Sequence, residues 1–77
     1  MNKDIRNYDE QDRYHGVQIS YHSNDNINWI YNYNHGTYHG YQVGFNEDKS
    51  INYKEYWNMG KWVYIENHWV NQIKIKI

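Results

Sequence analysis

The chain has 77 residues, carries a formal net charge of −1 and contains no cysteine. This length allows one domain with a small core, and the absence of cysteine excludes a disulfide framework and a cysteine-based metal site. A charge near zero also argues against nucleic-acid binding, because phosphate contacts need a clustered basic face.

The strongest signal is a motif that recurs at an interval of 24 residues. The residues YHGVQ at 14–18 return as YHGYQ at 38–42, and Gly36 returns as Gly60. A fixed period of about 20–50 residues is typical of one supersecondary unit stacked on copies of itself. We predict a single repeat domain over residues 1–77, with repeats at 14–37 and 38–61, a degenerate half-repeat at 1–13 and a degenerate partial repeat at 62–77.

Within each unit, apolar and polar side chains alternate with a period of two, as expected for strands with one buried face. In chain order, this pattern predicts strands near residues 4–8, 15–22, 27–34, 39–46, 51–58, 62–69 and 72–77. Segments rich in Asn, Asp and Gly lie between strands at 23–26, 34–37, 46–49 and 58–61, and they predict hairpin turns. The predicted fold is all-β, a single-layer antiparallel meander of stacked β-hairpins.

The turns require residues that tolerate positive φ, and glycine does so without strain. We assign the turn glycines as Gly16, Gly36, Gly40 and Gly60. We expect positive φ at Gly36 and Gly60, with Asp12 at the equivalent position of the N-terminal half-repeat. Replacing either of these two glycines by Val should cost more than about 1 kcal/mol of stability.

Pairing across the turns predicts the register of the sheet. The expected pairs are Tyr21 with Ile27, Ile19 with Trp29, Val17 with Tyr31, Tyr31 with Tyr41, Trp29 with Val43, and Phe45 with Ile51. All these residues are odd-numbered, so we expect one face to collect nearly all the large apolar side chains. The predicted interaction face contains Trp29, Tyr31, Tyr33, Tyr41, Tyr53, Trp57 and Trp69. The predicted edge strand carries Ile73, Ile75 and Ile77.

Residues 33–42, with the sequence YNHGTYHGYQ, resemble the junction between hairpins in MORN-type repeat proteins. Residues 56–61, YWNMGK, are similar to the next copy of that junction. The resemblance covers residues 14–61; an additional residue separates Asn34 from Gly36, and Val63-Tyr64 replaces the His-Gly pair in the third copy. It implies a single-layer sheet of stacked hairpins used for protein or membrane-surface contacts, with no catalytic residues to transfer.

The chain has five histidines, of which His15 and His39 hold equivalent positions in the two repeats. Equivalent positions in successive hairpins lie roughly 9–10 Å apart, whereas each ligand of one Zn²⁺ needs a nitrogen about 2.0–2.1 Å from the metal. We therefore interpret both histidines as turn caps that hydrogen-bond beside their glycine, with metal binding as the alternative. The remaining histidines are interpreted as surface residues. We predict no metal-binding, cofactor-binding or catalytic residue, and no enzyme activity.

An apolar face without a second layer has to be covered, since monomers rarely expose contiguous apolar patches beyond about 300–600 Å². We therefore predict a non-enzymatic structural or protein-interaction module, a subunit of a homo-oligomer or of a larger assembly, with Trp29, Trp57 and Trp69 near the contact. The expected partner is a protein, either a second copy or another subunit, and not nucleic acid; membrane contact is disfavoured. The alternative is a small module that binds a glycan or a lipid head group through exposed Tyr and Trp rings.

The excess of Asn, Ile, Lys and Tyr without Ala, Leu or Pro indicates an AT-rich coding genome, such as that of a large DNA virus, a phage or an AT-rich bacterium. A viral or phage component is consistent with this composition. No segment is apolar enough for a signal peptide or a membrane-spanning helix. We expect an intracellular protein, in the cytoplasm or in a virion, that is not secreted through a signal peptide.

Overall fold

A computed structural model describes residues 3–63 of the chain. Predictions for residues 64–77, including those for Trp69, Ile73, Ile75 and Ile77, lie outside the described residues. The strands are β1 (Gly16–Tyr21), β2 (Ile27–Asn34), β3 (Thr37–Tyr38), β4 (Gly40–Phe45), β5 (Ile51–Asn58) and β6 (Lys61–Val63). No helix occurs in the described range, and the all-β prediction is confirmed there.

The six strands form one antiparallel sheet in the order β1-β2-β4-β5-β6, with the short β3 also paired to β2. This order is meander-like, as predicted. The segment predicted as a strand at 4–8 contributes instead two isolated bridges, one joining Ile5 to Ile19 and one joining Tyr8 to Tyr14. The sheet is therefore extended at its β1 edge by irregular chain rather than by a full strand.

The turns at 34–37 and 58–61 are two-residue hairpin turns in which both central residues have positive φ, which is the type I′ conformation. The φ angles are 48° at His35 and 87° at Gly36, and 46° at Met59 and 85° at Gly60. The predicted positive φ at the two glycines is therefore confirmed.

Asp12 also has the expected positive φ, 64°, but its turn is of another kind. The Asp9 N–H donates to the Arg13 carbonyl at 2.8 Å, and the Asp12 N–H donates to the Asp9 carbonyl at 3.1 Å. The turns at 22–26 and 46–50 have the same two hydrogen bonds and the same positive φ at their fourth residue. Asp12 is therefore the geometric counterpart of the fourth residue in those turns, and not of the turn glycines.

The register agrees with the prediction beside two turns and is interrupted immediately afterwards. The confirmed pairs are Tyr21 with Ile27 and Phe45 with Ile51. The next pairs skip Asn28 of β2 and Asn52 of β5, so each of these residues is the extra residue of a β-bulge. A bulge of one residue shifts every later pair by one and exchanges the face on which each side chain lies.

The predicted pairs beyond the bulges are wrong by one residue. Trp29 lies opposite Ser20 on β1 and Gly44 on β4, and not opposite Ile19 and Val43. The other corrected pairs are Val17 with Asn32, Gln18 with Tyr31, and Tyr41 with Tyr56. The sequence pattern conceals the bulges because both bulged residues are Asn, which fits the polar positions of the alternation.

The bulges divide the large side chains between the two faces of the sheet. Since paired residues share a face, the register defines an aromatic face that contains Trp29, Tyr31, Tyr33, Tyr38, Tyr53 and Trp57. The opposite, aliphatic face contains Ile5, Val17, Ile19, Ile30 and Val43, together with Tyr41 and Tyr56. The prediction of a single apolar face is therefore wrong, and Tyr41 lies across the sheet from the other described members of the predicted interaction face.

Neither face is covered by a second layer within the described residues. The molecule measures 35 × 31 × 11 Å along its principal axes, and its shortest extent is close to the thickness of one sheet. Between residues 3 and 63 no apolar side chain is buried, and the largest fully buried side chains are those of Gln18 and Gln42. Hydrogen bonds therefore order the interior of the sheet, while apolar side chains remain accessible on both sides.

Candidate functional site

Two buried glutamines connect neighbouring segments of the sheet. The Gln42 Oε1 accepts a hydrogen bond of 2.8 Å from the Asn32 N–H, and the Gln42 Nε2 donates one of 2.9 Å to the Asn32 carbonyl. Gln18 makes the same pair of bonds to the backbone of Asn7, at 2.8 and 2.9 Å. Each side chain supplies partners that a regular backbone ladder would otherwise provide. Leaving such a buried polar group without a partner costs about 1–3 kcal/mol.

Each glutamine lies two residues after the glycine that begins its strand. Gly16 and Gly40 open these strands with φ of 89° and 107°, and they do not lie in the turns. A Cβ atom built on Gly40 would lie 3.5 Å from the Cβ of Asn32, so the asparagine packs directly over the glycine. Sequence reasoning missed the glutamines, and the available signal was their recurrence at the same place in the two copies of the motif.

The aromatic face is organised by contacts between its own rings. Trp29 stacks on Tyr31 with ring centroids 4.3 Å apart and planes inclined by 14°. The Tyr31 and Tyr53 hydroxyl groups hydrogen-bond to each other across the sheet. The Tyr53 ring lies over Gly44, where a Cβ atom would collide with it. The structure thus brings together most of the predicted interaction residues, but packs their rings against one another.

A continuous series of rings, which we call the ring ladder, runs through the hairpins. Successive centroids are separated by 5.5 Å from Tyr8 to Tyr14, 5.1 Å from Tyr14 to Tyr33, 5.1 Å from Tyr33 to Tyr38, and 5.0 Å from Tyr38 to Trp57. Beside its second half lies an open groove of about 270 Å³, which the two turn glycines and three of the rings line. Aromatic pairs at these separations contribute about 0.5–1.5 kcal/mol beyond the area that they bury.

Two phenols of the aromatic face resist ionisation. Burial raises the pKa of the Tyr31 hydroxyl above its ordinary value, and the hydrogen bond with Tyr53 raises it further. Burial, followed by the neighbouring Tyr38 phenol, raises the pKa of Tyr33 to about 12. Both hydroxyl groups are therefore neutral at physiological pH and act as hydrogen-bond donors and acceptors rather than as anions.

His15 and His39 cap turns, as predicted, although each caps the turn of the following hairpin. The His15 Nδ1 accepts a hydrogen bond of 3.0 Å from the His35 N–H, and the His39 Nδ1 accepts one of 3.0 Å from the Met59 N–H. Neither Nδ1 lone pair is available to a metal ion while it accepts this bond. The ring that stacks on His15, with centroids 4.1 Å apart, is that of His35 and not that of His39.

A cleft of about 480 Å³ surrounds the Asp9 carboxylate. Its Oδ2 accepts hydrogen bonds from the Arg13 Nε at 2.8 Å and the His35 Nδ1 at 2.7 Å, and the side chain is only 4% exposed. Burial opposes ionisation, but hydrogen bonds from the Arg13 and Gln11 amides and the His35 ring outweigh it and hold the pKa of Asp9 well below its usual range.

A carboxylate that orients an imidazole is also an arrangement found in acid–base catalysis. Here the lining of the cleft is Tyr8, Asp9, Glu10, Gln11, Arg13, His15 and His35, and it includes no Ser, Thr or Cys. Asp9 also accepts hydrogen bonds at Oδ1 from the amides of Gln11 and Arg13, at 2.8 and 3.0 Å. The carboxylate therefore closes the turn that it begins and orients the ring of His35 in the turn at 34–37.

Within residues 3–63 no group of three or more His, Cys, Asp or Glu side chains is placed to hold a metal ion. In the same range no helix is both long enough and apolar enough to cross a membrane. No protein-family model, curated protein or solved structure matches the chain.

Proposed function

We propose that this chain is a non-enzymatic structural and protein-interaction module that works as a subunit of a homo-oligomer or of a larger assembly. The observation that carries the proposal is that no apolar side chain within residues 3–63 is buried, although the sheet measures 35 × 31 Å. Isolated soluble proteins rarely leave apolar patches beyond about 300–600 Å² in contact with water. A partner laid on the sheet would supply the burial that the described residues lack.

The proposed architecture is a MORN-like array with repeats at 14–37 and 38–61 and degenerate units on either side. Contacts that recur after 24 residues support it. The Gly36 N–H donates to the Tyr14 carbonyl at 2.7 Å, and the Gly60 N–H donates to the Tyr38 carbonyl at 2.8 Å. Each turn is thus bonded to the tyrosine that begins its own repeat. Stacked units of this kind build extended surfaces for binding other proteins, in the cytoplasm or within a virion.

The proposal is tested by the molar mass of the purified full chain in solution, measured by sedimentation equilibrium from micromolar to millimolar concentration. We expect a multiple of the 9.6 kDa chain mass, or a tendency to precipitate that a co-purifying protein relieves. A folded monomer that remains soluble across the whole range would contradict the proposal, because its apolar faces would then be stable in water.

The groove beside Tyr33, Tyr38 and Trp57 favours one alternative function, the binding of a glycan or a lipid head group. The groove has a volume of about 270 Å³ and three aromatic rings in its lining, and the CH faces of sugars stack on aromatic rings. Titration with oligosaccharides, followed by tryptophan fluorescence, separates this alternative from the first proposal. A saturable change that the Trp57→Ala variant lacks would support the glycan site, and unchanged fluorescence would contradict it.

A further inference from the structure

We infer that the partner is a second copy of this chain, and that two copies pack face to face through their aliphatic faces. The inference rests on the proposed function and assigns its contact surface. It moves the contact away from the aromatic face, where the sequence pattern placed it. The reasons are the shape and size of the aliphatic face, and the low polarity and single charge of the aliphatic row that crosses it.

The shape of the aliphatic face is set by one row of side chains that crosses the whole sheet. Backbone pairing connects Ile5 to Ile19, Ile19 to Ile30, Ile30 to Val43, and Val43 to Lys54. Four of these five residues are β-branched and aliphatic. Such side chains are short and stiff and stand perpendicular to the sheet, which suits two sheets that pack about 10 Å apart.

Polarity distinguishes the two faces. The aromatic face carries phenol hydroxyls, the Glu55 carboxylate that accepts a bond of 2.9 Å from the Trp57 Nε1, and the Arg6 guanidinium 5.1 Å above the Trp29 ring. Covering these groups removes water from polar atoms and is costly unless the partner replaces each hydrogen bond. The aliphatic row has no such group before Lys54, and the Tyr41 and Tyr56 phenols of the same face lie outside this row. An apolar partner surface therefore gains more by covering the aliphatic face.

The size of the face matches the requirement of a stable dimer. Extents of 35 and 31 Å give each face on the order of 1,000 Å², against about 800 Å² per partner in a standard stable interface. The apolar side chains at this face are accessible: Val17 is 36% exposed and Ile5 is 39% exposed. A second copy is the partner that is always present at the same concentration, and a two-fold interface needs only a surface that is complementary to itself.

The position of Lys54 makes the aliphatic row self-complementary. A two-fold axis that runs along β2 between the sheets reverses the row, so that Ile19 of one copy faces Val43 of the other and Lys54 faces Ile5. The two lysines are then four strand spacings apart, roughly 19 Å, which exceeds the Debye length of about 8 Å at physiological salt. Each ammonium group lies 5.0 Å from the Tyr41 ring of its own chain, at the rim of the contact.

The test uses a pair of variants of the full chain, Ile19→Glu and Val43→Lys. In a homodimer of either variant, the introduced charge of each copy would face an aliphatic side chain of the other copy. We therefore expect each variant alone to sediment at the 9.6 kDa monomer mass. In the mixed dimer the glutamate faces the lysine, and the second contact keeps its native Ile–Val pair. We expect an equimolar mixture to regain twice the monomer mass. Ser20→Glu is the matched control, because it adds the same charge one residue further on the opposite face.

The outcomes separate the inference from the proposed function. If the wild type is a dimer and both Ile19→Glu and Val43→Lys remain dimers, the inference is overturned and the proposed function stands. The same holds if Ser20→Glu abolishes the dimer instead. A wild-type monomer at millimolar concentration overturns both. A mixture of the two charge variants that stays monomeric also overturns the inference.

A second measurement on the wild-type chain covers the case in which the variants do not fold. Covalent labelling of tyrosine is compared between dilute and concentrated protein. We expect labelling of Tyr41 and Tyr56 to fall severalfold on concentration, while Tyr53 changes little. Equal labelling of Tyr41 at both concentrations, or protection that is already complete in dilute protein, overturns the inference.

Discussion

The Nδ1 atom of His39 accepts a hydrogen bond of 3.0 Å from the backbone N–H of Met59, across 20 positions of the sequence. Met59 is the first central residue of the type I′ turn before β6, and its φ is 46°. The side chain at the start of one hairpin therefore holds the turn of the next. Since the imidazole accepts through Nδ1, its own proton must lie on Nε2 in the neutral ring.

Removing this acceptor should destabilise the turn. We expect His39→Ala to lower the free energy of unfolding by about 0.5–1.5 kcal/mol, the usual net value of one hydrogen bond. His39→Asn is the control, because its Oδ1 is separated from the backbone by the same number of bonds as Nδ1 and still accepts. Urea denaturation monitored by circular dichroism measures both variants. Equal losses for the two would show that ring packing, and not the hydrogen bond, is responsible.

The two turn glycines have almost the same φ but different surroundings. A Cβ atom on Gly60 would lie 2.9 Å from the Thr37 Cγ2, whereas on Gly36 it would lie 3.5 Å from the Arg13 Cδ. Left-handed backbone strain should cost roughly 1–2 kcal/mol for Ala at either position, and we expect Gly60→Ala to cost more than Gly36→Ala. Combining Gly60→Ala with Thr37→Ser, which removes the methyl group, should reduce the difference. Thermal unfolding that ranks the two single variants in the opposite order would contradict this assignment.

The all-β class and the meander-like strand order followed from the two-residue alternation, because that pattern depends on local backbone geometry. The positive φ at Gly36 and Gly60 followed from residue type, since few residues tolerate that conformation. The faces of the sheet could not be predicted in this way. They depend on the bulges at Asn28 and Asn52, and one unpaired residue in each hairpin reverses which side chains share a face.

The buried side chains show a second limit of the sequence pattern. Gln18 and Gln42 occupy polar positions of the alternation, and solvent exposure is the ordinary expectation for such residues. Their burial becomes understandable only when the backbone of Asn7 and Asn32 is in place to receive both ends of each amide. Hydrogen bonds of this kind join residues 10 or 11 positions apart, so the two-residue alternation carries no sign of them.

Close packing between Tyr53 and Gly44 yields a third prediction. A methyl group at residue 44 would occupy the space of the tyrosine ring, so we expect Gly44→Ala to cost about 1–3 kcal/mol through overpacking. Ser20 is the matched control, because it pairs with Trp29 from β1 as Gly44 does from β4, and it already carries a Cβ. Ser20→Ala should be nearly neutral. In a double-mutant cycle, Tyr53→Thr should remove most of the penalty of Gly44→Ala. A fully additive cycle would refute the contact.

The Asp9 carboxylate should make stability depend on pH. Its pKa is lowered in the folded chain by hydrogen bonds from Arg13, Gln11 and His35, so between the folded and unfolded values the folded state binds fewer protons. The stabilisation is therefore present above the unfolded value, about 3.9, and is lost progressively as the pH falls below it. We expect Asp9→Asn to flatten the decline of the urea midpoint on acidification. Glu10→Gln removes an equal charge from the next position and should leave the decline steep, so equal slopes for the two variants would contradict the assignment of this acid sensitivity to Asp9.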